Sequence, residues 1–160
     1  MLEVYFYHLL KGSLEDFLSN LLTLSRDKGW RALLCFSSEA TLNLVDEFLW
    51  KQNPSLVHGT TSQDFPQEQP ILLSLSTQNL NKAEICFLLD GTTYGEDDNF
   101  KRVVVLFDGF KQKEVENARA QWQEFKQLKC KMNYYKQNST GKWELTKEYV
   151  EKQPFFVSYM

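Results

Sequence analysis

Two aspartate–glycine pairs follow apolar runs of the sequence and could do chemistry. Asp90 and Gly91 end "EICFLLDG", and Asp108 and Gly109 end "RVVVLFDG". Because ligands in open α/β sheets bind at the carboxyl ends of strands, these carboxylates could hold a metal ion or polarise a substrate. Aspartate–glycine is also ordinary turn chemistry after a strand, and we favour that interpretation. The alternative is a Rossmann-like nucleotide- or metal-dependent enzyme that uses Asp90 and Asp108.

The remaining candidates for catalysis are few. The sequence lacks the GxGxxG, GxxxxGK[ST], GxSxG and HExxH patterns of phosphate-binding, hydrolytic and zinc sites. His8 lies in the first apolar run and His58 opens a polar stretch, and we predict that both are hydrogen-bonded structural residues rather than bases. Scattered cysteines without CxxC spacing, namely Cys35, Cys86 and Cys130, are typical of reduced core residues. We therefore expect no cofactor, no metal and no catalytic residue.

Composition and charge narrow the class of protein. The chain has 160 residues, of which 42% are hydrophobic and 24% are charged, as in one ordinary globular domain. A formal net charge of −3 gives no basic footprint of the kind that direct nucleic-acid binding needs, so DNA would be contacted only indirectly. No apolar run approaches the roughly 20 residues of a membrane span. The sequence predicts a cytoplasmic protein without a membrane partner.

Apolar runs alternate with amphipathic segments along the chain. Residues 2–10 read as a buried strand, followed by a helix capped by Ser13. Residues 30–36 read as the next strand, followed by a helix from about Glu39 to Trp50 with Ser37 or Ser38 as its cap. This order predicts a mostly parallel central sheet flanked by helices.

The second half continues the pattern after a polar excursion over residues 59–70. Three apolar runs follow, "ILLSL", "EICFLLD" and "RVVVLFD", and then a helix that contains "NARAQWQEF". "CKMNYYKQ" and "GKWEL" read as two edge or hairpin strands. We predict a single domain over 1–160, in which 146–160 is a C-terminal extension of unassigned structure.

The last predicted helix carries an arginine beside a tryptophan. At 100° per residue, one core-facing stripe contains Val115, Ala118, Trp122 and Phe125. Arg119 and Lys126 border that stripe and flank Trp122. Together these side chains could form an apolar shelf with a cationic rim, suited to an apolar group that carries a carboxylate. The plainer interpretation is that Trp122 is core and Arg119 a solvated charge.

A second tryptophan ends the preceding helix. Trp50 points away from the apolar side of that helix, which is formed by Leu42, Val45, Phe48 and Leu49. An exposed tryptophan is typical of a protein-binding hot spot. It could also fold back over the loop that follows.

The order of motifs resembles the chi subunit family of bacterial DNA polymerase III. The matching stretches run in register over about residues 4–145: "FYHLL" (6–10), "GWRALL" (29–34), "LVDEFLW" (44–50), "HGT" (58–60), "QPILLSL" (69–75), "RVVVLFDG" (102–109), "ARAQW" (118–122) and "GKWEL" (141–145). Val57 stands where the family pattern has a proline. The residues after about Thr146 have no counterpart in the pattern.

The resemblance implies a non-catalytic accessory subunit of the clamp loader with a Rossmann-like three-layer α/β fold. Its implied partners are the psi subunit and the C-terminal tail of single-stranded DNA-binding protein. The tail-binding arginine and aromatic residue of the family map onto Arg119 and Trp122. To these, helix geometry adds Val115 and Lys126.

The psi-contacting tryptophan of the family maps onto Trp50, with Pro54 and Leu56 beside it. Three functions stay open at this point: an interaction module of the replicase, an enzyme that uses Asp90 and Asp108, and a purely structural subunit without a tail pocket.

Overall fold

The protein folds as an α/β structure, which a computed structural model describes for residues 1–63, 65–95 and 99–150. Its helices are α1 (Leu14–Asp27), α2 (Glu39–Gln52) and α3 (Gln112–Phe125), with a short 3₁₀ turn at Pro66–Glu68. The strands are β1 (Leu2–Leu9), β2 (Ala32–Cys35), β3 (Gly59–Thr60), β4 (Ile71–Ser74), β5 (Ile85–Leu88), β6 (Arg102–Asp108), β7 (Cys130–Gln137) and β8 (Trp143–Val150).

Side-chain caps fix where the first two helices begin. Ser13 Oγ accepts a hydrogen bond from the amide of Asp16 at 3.0 Å, and Ser38 Oγ accepts one from the amide of Thr41 at 3.3 Å. Each bond satisfies an amide that has no partner within its helix. The predicted cap at Ser13 is confirmed, and of the two serines predicted before α2 the cap is Ser38.

The strands form one eight-stranded sheet in the order β3-β4-β2-β5-β6-β1-β7-β8. All neighbouring strands are parallel except β7 and β8, which form an antiparallel hairpin at one edge. The predicted mostly parallel sheet and the terminal hairpin are confirmed.

Helices lie on both faces of this sheet and give it three layers. One core contains the apolar side of α1 and α2 together with residues of β2, β4 and β5. The other core lies under α3 and contains Trp122, Phe6 and Tyr134. The two cores stabilise the sheet from opposite sides, as expected for a Rossmann-like sandwich. Among the described residues, no helix has the length and apolar character to cross a membrane.

The structure adds three details to the sequence-based expectations. The polar excursion over 59–70 contains β3, a two-residue strand too short to show periodicity, which pairs with β4. All three cysteines are buried, as predicted for core residues. β8 extends to Val150, so the first five residues of the 146–160 extension belong to a strand. The rest of that extension, 151–160, lies outside the described residues.

Candidate partner-binding surfaces

The core-facing stripe of α3 is as predicted. Val115, Ala118, Trp122 and Phe125 are all buried, whereas Arg119 is exposed. Helical spacing alone produces this division, because residues three and four apart share a face. Arg119 therefore stands on the solvent side of a helix whose other side is fixed in the core.

Trp122 joins α3 to the strands beneath it. Its ring packs edge-to-face on Phe6 of β1 and Tyr134 of β7, at centroid distances of 5.3 and 5.7 Å. Lys147 of β8 places its Nζ 5.8 Å from the Trp122 centroid and 5.3 Å from that of Tyr134. Only 5% of Trp122 is exposed, so the ring can supply a floor or wall of a site but little open surface.

A hydrogen bond ties Tyr134 to the adjacent strand. His8 Nδ1 lies 2.8 Å from the Tyr134 hydroxyl, and the His8 ring is buried. The hydrogen bonding predicted for His8 is confirmed.

The charges around this pair are cationic. Burial lowers the pKa of His8, and the positive charges of Lys136 and Arg119 lower it further. Burial raises the pKa of Tyr134 to about 12, although the Arg119 charge acts in the opposite direction. Arg119 forms no salt bridge within the described part of the chain. The surface beside Tyr134 is therefore electropositive and lacks a described counter-charge for Arg119.

Lys126 and Val115, the two residues added by helix geometry, occupy different environments. Lys126 points toward the hairpin, with its Nζ 5.5 Å from the Tyr149 ring centroid. Val115 is 7% exposed and belongs to the core under α3. Lys126 thus extends the cationic border, whereas Val115 supports the helix from beneath.

We refer to this region as the α3–hairpin groove: Arg119, Trp122, Lys126, Tyr134, Lys136, Lys147 and Tyr149. Its hairpin residues were not predicted. Alternation along β7 places Tyr134 and Lys136 on one face of the sheet, but only the pairing of β7 with β1 brings that face to α3. Aromatic rings with cations around them suit an apolar group that carries a carboxylate.

Trp50 forms the centre of a second surface. It is 44% exposed, and its ring stacks on that of His58 with centroids 4.2 Å apart and planes 28° apart. The ring therefore folds back onto the following loop and still presents nearly half of its surface, and its role as a binding hot spot stays a prediction.

His58 is fixed at both ring nitrogens. Nε2 lies 2.8 Å from Asp46 Oδ1, and Nδ1 lies 2.8 Å from the Leu56 carbonyl oxygen. The His58 residue is 4% exposed. Asp46 on α2 and the backbone of the loop thus hold the platform on which Trp50 rests, and the hydrogen bonding predicted for His58 is confirmed.

The loop residues predicted beside Trp50 are not equally accessible. Pro54 is exposed, whereas Leu56 is fully buried in the core under α1 and α2. Val57, between Leu56 and His58, is 54% exposed. We refer to Trp50, Pro54, Val57 and His58 as the α2-end surface.

Asp90 and Asp108 line one cleft at the carboxyl ends of the strands. The cleft has a volume of about 320 Å³ and reaches the first turns of α1 and α2. Asp90 Oδ2 accepts hydrogen bonds from the hydroxyls of Ser37 at 2.8 Å and Ser38 at 3.0 Å. Burial raises the pKa of Asp90, but these bonds and one from Thr41 lower it by more, so that it lies below its ordinary value.

Asp108 makes the hydrogen bond of a turn. Its Oδ1 accepts from the amide of Phe110 at 2.9 Å. Gly109 is required by packing, because a Cβ there would collide with the His8 ring. Within residues 1–63, 65–95 and 99–150, no group of three or more His, Cys, Asp and Glu side chains could hold a metal ion. Both aspartates thus have structural partners.

Comparison with known proteins identifies the family. A search of curated protein sequences finds no significant match to this chain. The family model of the DNA polymerase III chi subunit (HolC) matches residues 1–133, which include β1 through α3 and the first half of β7. Since that match covers most of the 160 residues, the chain belongs to the DNA polymerase III chi subunit family, whose members are accessory subunits in DNA replication.

Proposed function

We propose that this protein links the replicase clamp loader to single-stranded DNA-binding protein in the cytoplasm, by binding the C-terminal tail of that protein. It contacts DNA only indirectly, through this partner, and catalyses no reaction. The observation that carries the proposal is the exposed Arg119, whose positive charge acts on Tyr134 of the α3–hairpin groove.

In this proposal Arg119 pairs with the terminal carboxylate of the tail. Trp122 and Tyr134 form the wall against which the last apolar side chain of the tail packs. Val115 holds the helix in place, and Lys126, Lys136 and Lys147 attract the acidic residues that precede the chain end. A charge-assisted bond is among the stronger hydrogen bonds in proteins, so the exposed guanidinium of Arg119 suits a terminal carboxylate.

Calorimetry with two tail peptides tests this function. A peptide with a free carboxylate should bind with one site per protein, and its amidated copy should bind roughly 10- to 150-fold more weakly. Added salt should weaken the free-acid complex more than the amidated one, since a charge pair is screened. Equal binding of the two peptides to the wild-type protein would mean that Arg119 does not read a chain end.

We further propose that the α2-end surface binds the psi subunit. Trp50 and Pro54 would contact psi directly, while the buried Leu56 would hold the loop from beneath. Support comes from the exposed fraction of Trp50, 44%, on a platform fixed by His58. A large aromatic ring on a rigid base loses little entropy on binding, which is why tryptophan is enriched at hot spots.

A further inference from the structure

A small cleft lies on the face of the sheet opposite the α3–hairpin groove. It has a volume of about 120 Å³ and lies between α1 and strands β1, β5 and β6. Its inner wall is apolar, because Ile85, Phe87 and Val104 are all buried. Its mouth is formed by Leu24, Lys28, Trp30 and Arg102, and Leu24 is 62% exposed. The cleft therefore changes from apolar to cationic between its inner wall and the solvent.

Three cations converge on one ring at this mouth. The Trp30 centroid lies 4.1 Å from Lys28 Nζ, 5.1 Å from Arg102 Cζ and 5.9 Å from Lys101 Nζ. In the described part of the chain, the cluster has one salt bridge, between Arg102 and Glu3 at 3.1 Å. Three positive charges around one ring make the local potential positive, and a bound anion would lower their electrostatic energy.

Arg102 also carries an unused donor. Its guanidinium lies 4.6 Å from the Tyr5 ring centroid as well as near Trp30. The Nε atom is buried and has no hydrogen-bond partner among the described residues. A buried donor without an acceptor is costly, and such groups are commonly satisfied by a water or a bound ligand.

We propose that this cleft is a binding site for a compact amphiphilic oxyanion, that is, a phosphate or carboxylate attached to an apolar group about the size of one ring. The apolar group lies against Ile85, Phe87 and Val104, and an anionic oxygen accepts from Arg102. Lys28 at the mouth and Lys101 near the Trp30 ring attract the anion. The site shares no residue with the α3–hairpin groove, so it does not rest on the proposed function.

Two ligands that carry the same phenyl ring test whether the site prefers a phosphate or a carboxylate. Phenyl phosphate represents phosphate esters such as nucleotides, and phenylacetate represents carboxylates. Each is titrated into ¹⁵N-labelled Arg119→Ala protein, which removes the arginine of the other groove. The NMR signals of the Trp30 indole and of the β1 and β6 amides should shift with at least one ligand. The ligand that binds more tightly shows whether the site prefers a phosphate ester or a carboxylate.

Two smaller ligands test whether binding needs both the anionic group and the apolar ring. Inorganic phosphate carries the charge without the ring, and benzyl alcohol carries the ring without the charge. Each should bind at least about tenfold more weakly than the better of the two complete ligands, because each loses one set of contacts. If either smaller ligand binds as tightly as the complete ligand, the site is not amphiphilic and the proposal fails.

Exposed lysines provide variants that leave the fold intact. The Lys28→Ala/Lys101→Ala protein should bind the better ligand about tenfold or more weakly, since two of three cations are lost. Lys142→Ala, an exposed lysine on the far hairpin, is the matched control and should bind normally. Unchanged affinity in the double variant, or shifts confined to other surfaces, would overturn the site.

Discussion

Trp122 and Trp50 are each the central aromatic ring of a candidate partner surface, yet the protein holds them differently. Trp122 is 5% exposed and packs between β1 and β7, whereas Trp50 is 44% exposed and rests on a single histidine ring. A residue shared between the core and a binding site couples partner affinity to stability. A residue on a preformed platform can contribute to binding with little effect on the fold.

The largest effect should come from Trp122→Ala. Removing a buried tryptophan should lower the free energy of unfolding by about 3 to 5 kcal/mol and abolish tail binding, because the ring serves both core and groove. Urea unfolding and calorimetry with the tail peptide would measure the two losses. Trp122→Phe, which keeps an aromatic ring, should recover part of both. If the Trp122→Ala protein has the unfolding free energy of wild type, Trp122 does not couple binding to stability and does not differ from Trp50 in this respect.

Trp50→Ala should separate binding from stability. Loss of a hot-spot ring should weaken psi binding by about 2 kcal/mol or more. The free energy of unfolding should change by about 1 kcal/mol or less, and tail binding should stay at the wild-type level. Co-purification of psi at wild-type yield with the Trp50→Ala protein would remove this residue from the interface. Leu44→Ala, which removes another exposed apolar side chain of α2, serves as the control.

Arg119→Ala should weaken tail binding at the α3–hairpin groove without lowering the stability of the fold. Loss of one charge-assisted contact of about 1.5 to 3 kcal/mol should weaken tail binding roughly 10- to 150-fold. The fold should survive, because Arg119 is exposed. The free-acid peptide should then bind the variant about as poorly as the amidated peptide binds wild type. If the variant still distinguishes the two peptides, another cation reads the chain end.

The smallest effect should come from Asp90→Asn, outside both surfaces. Asn tolerates the left-handed backbone that Asp90 adopts at φ 57°, so the turn should be retained. Because the folded pKa of Asp90 is lowered from 3.8, its charge stabilises the fold above that pH, and this contribution is lost as pH falls through the folded pKa. The unfolding energy of wild type should therefore fall more steeply with acid than that of the variant.

Neither Asp90→Asn nor Asp108→Asn should abolish a reaction. Nucleotide turnover by the wild-type protein that disappears in either variant would revive the enzyme alternative. Partner binding by both variants should equal that of the wild-type protein, since neither carboxylate belongs to the α3–hairpin groove or the α2-end surface.

Local patterns predicted the features that depend on neighbours in the chain. The stripe from Val115 to Phe125 and the cap at Ser13 follow from spacings of three and four residues, and both are found in the structure. The two aspartates could be placed at one edge because parallel strands end together.

Features that depend on distant pairing could not be predicted. The His8–Tyr134 bond joins residues 126 positions apart, and it requires that β7 lie next to β1 rather than at another edge. Lys147 and Tyr149 reach the groove only because β8 continues beyond residue 145, where the stretches that match the family pattern end. Leu56 was expected beside Trp50, yet a loop residue has no periodicity from which its burial could be read, and it lies in the core.

The buried His8 ring beside the α3–hairpin groove should take up part of a proton when a ligand binds there. The pKa of His8 is lowered by burial and by the nearby charges of Lys136 and Arg119. A carboxylate placed beside those two cations would offset their effect and raise the pKa of His8. Ligand binding at mildly acidic pH would therefore be accompanied by uptake of a fraction of a proton from the buffer. The heat of binding would then depend on the ionisation enthalpy of the buffer, and that dependence would disappear on replacing His8 by a residue that does not titrate.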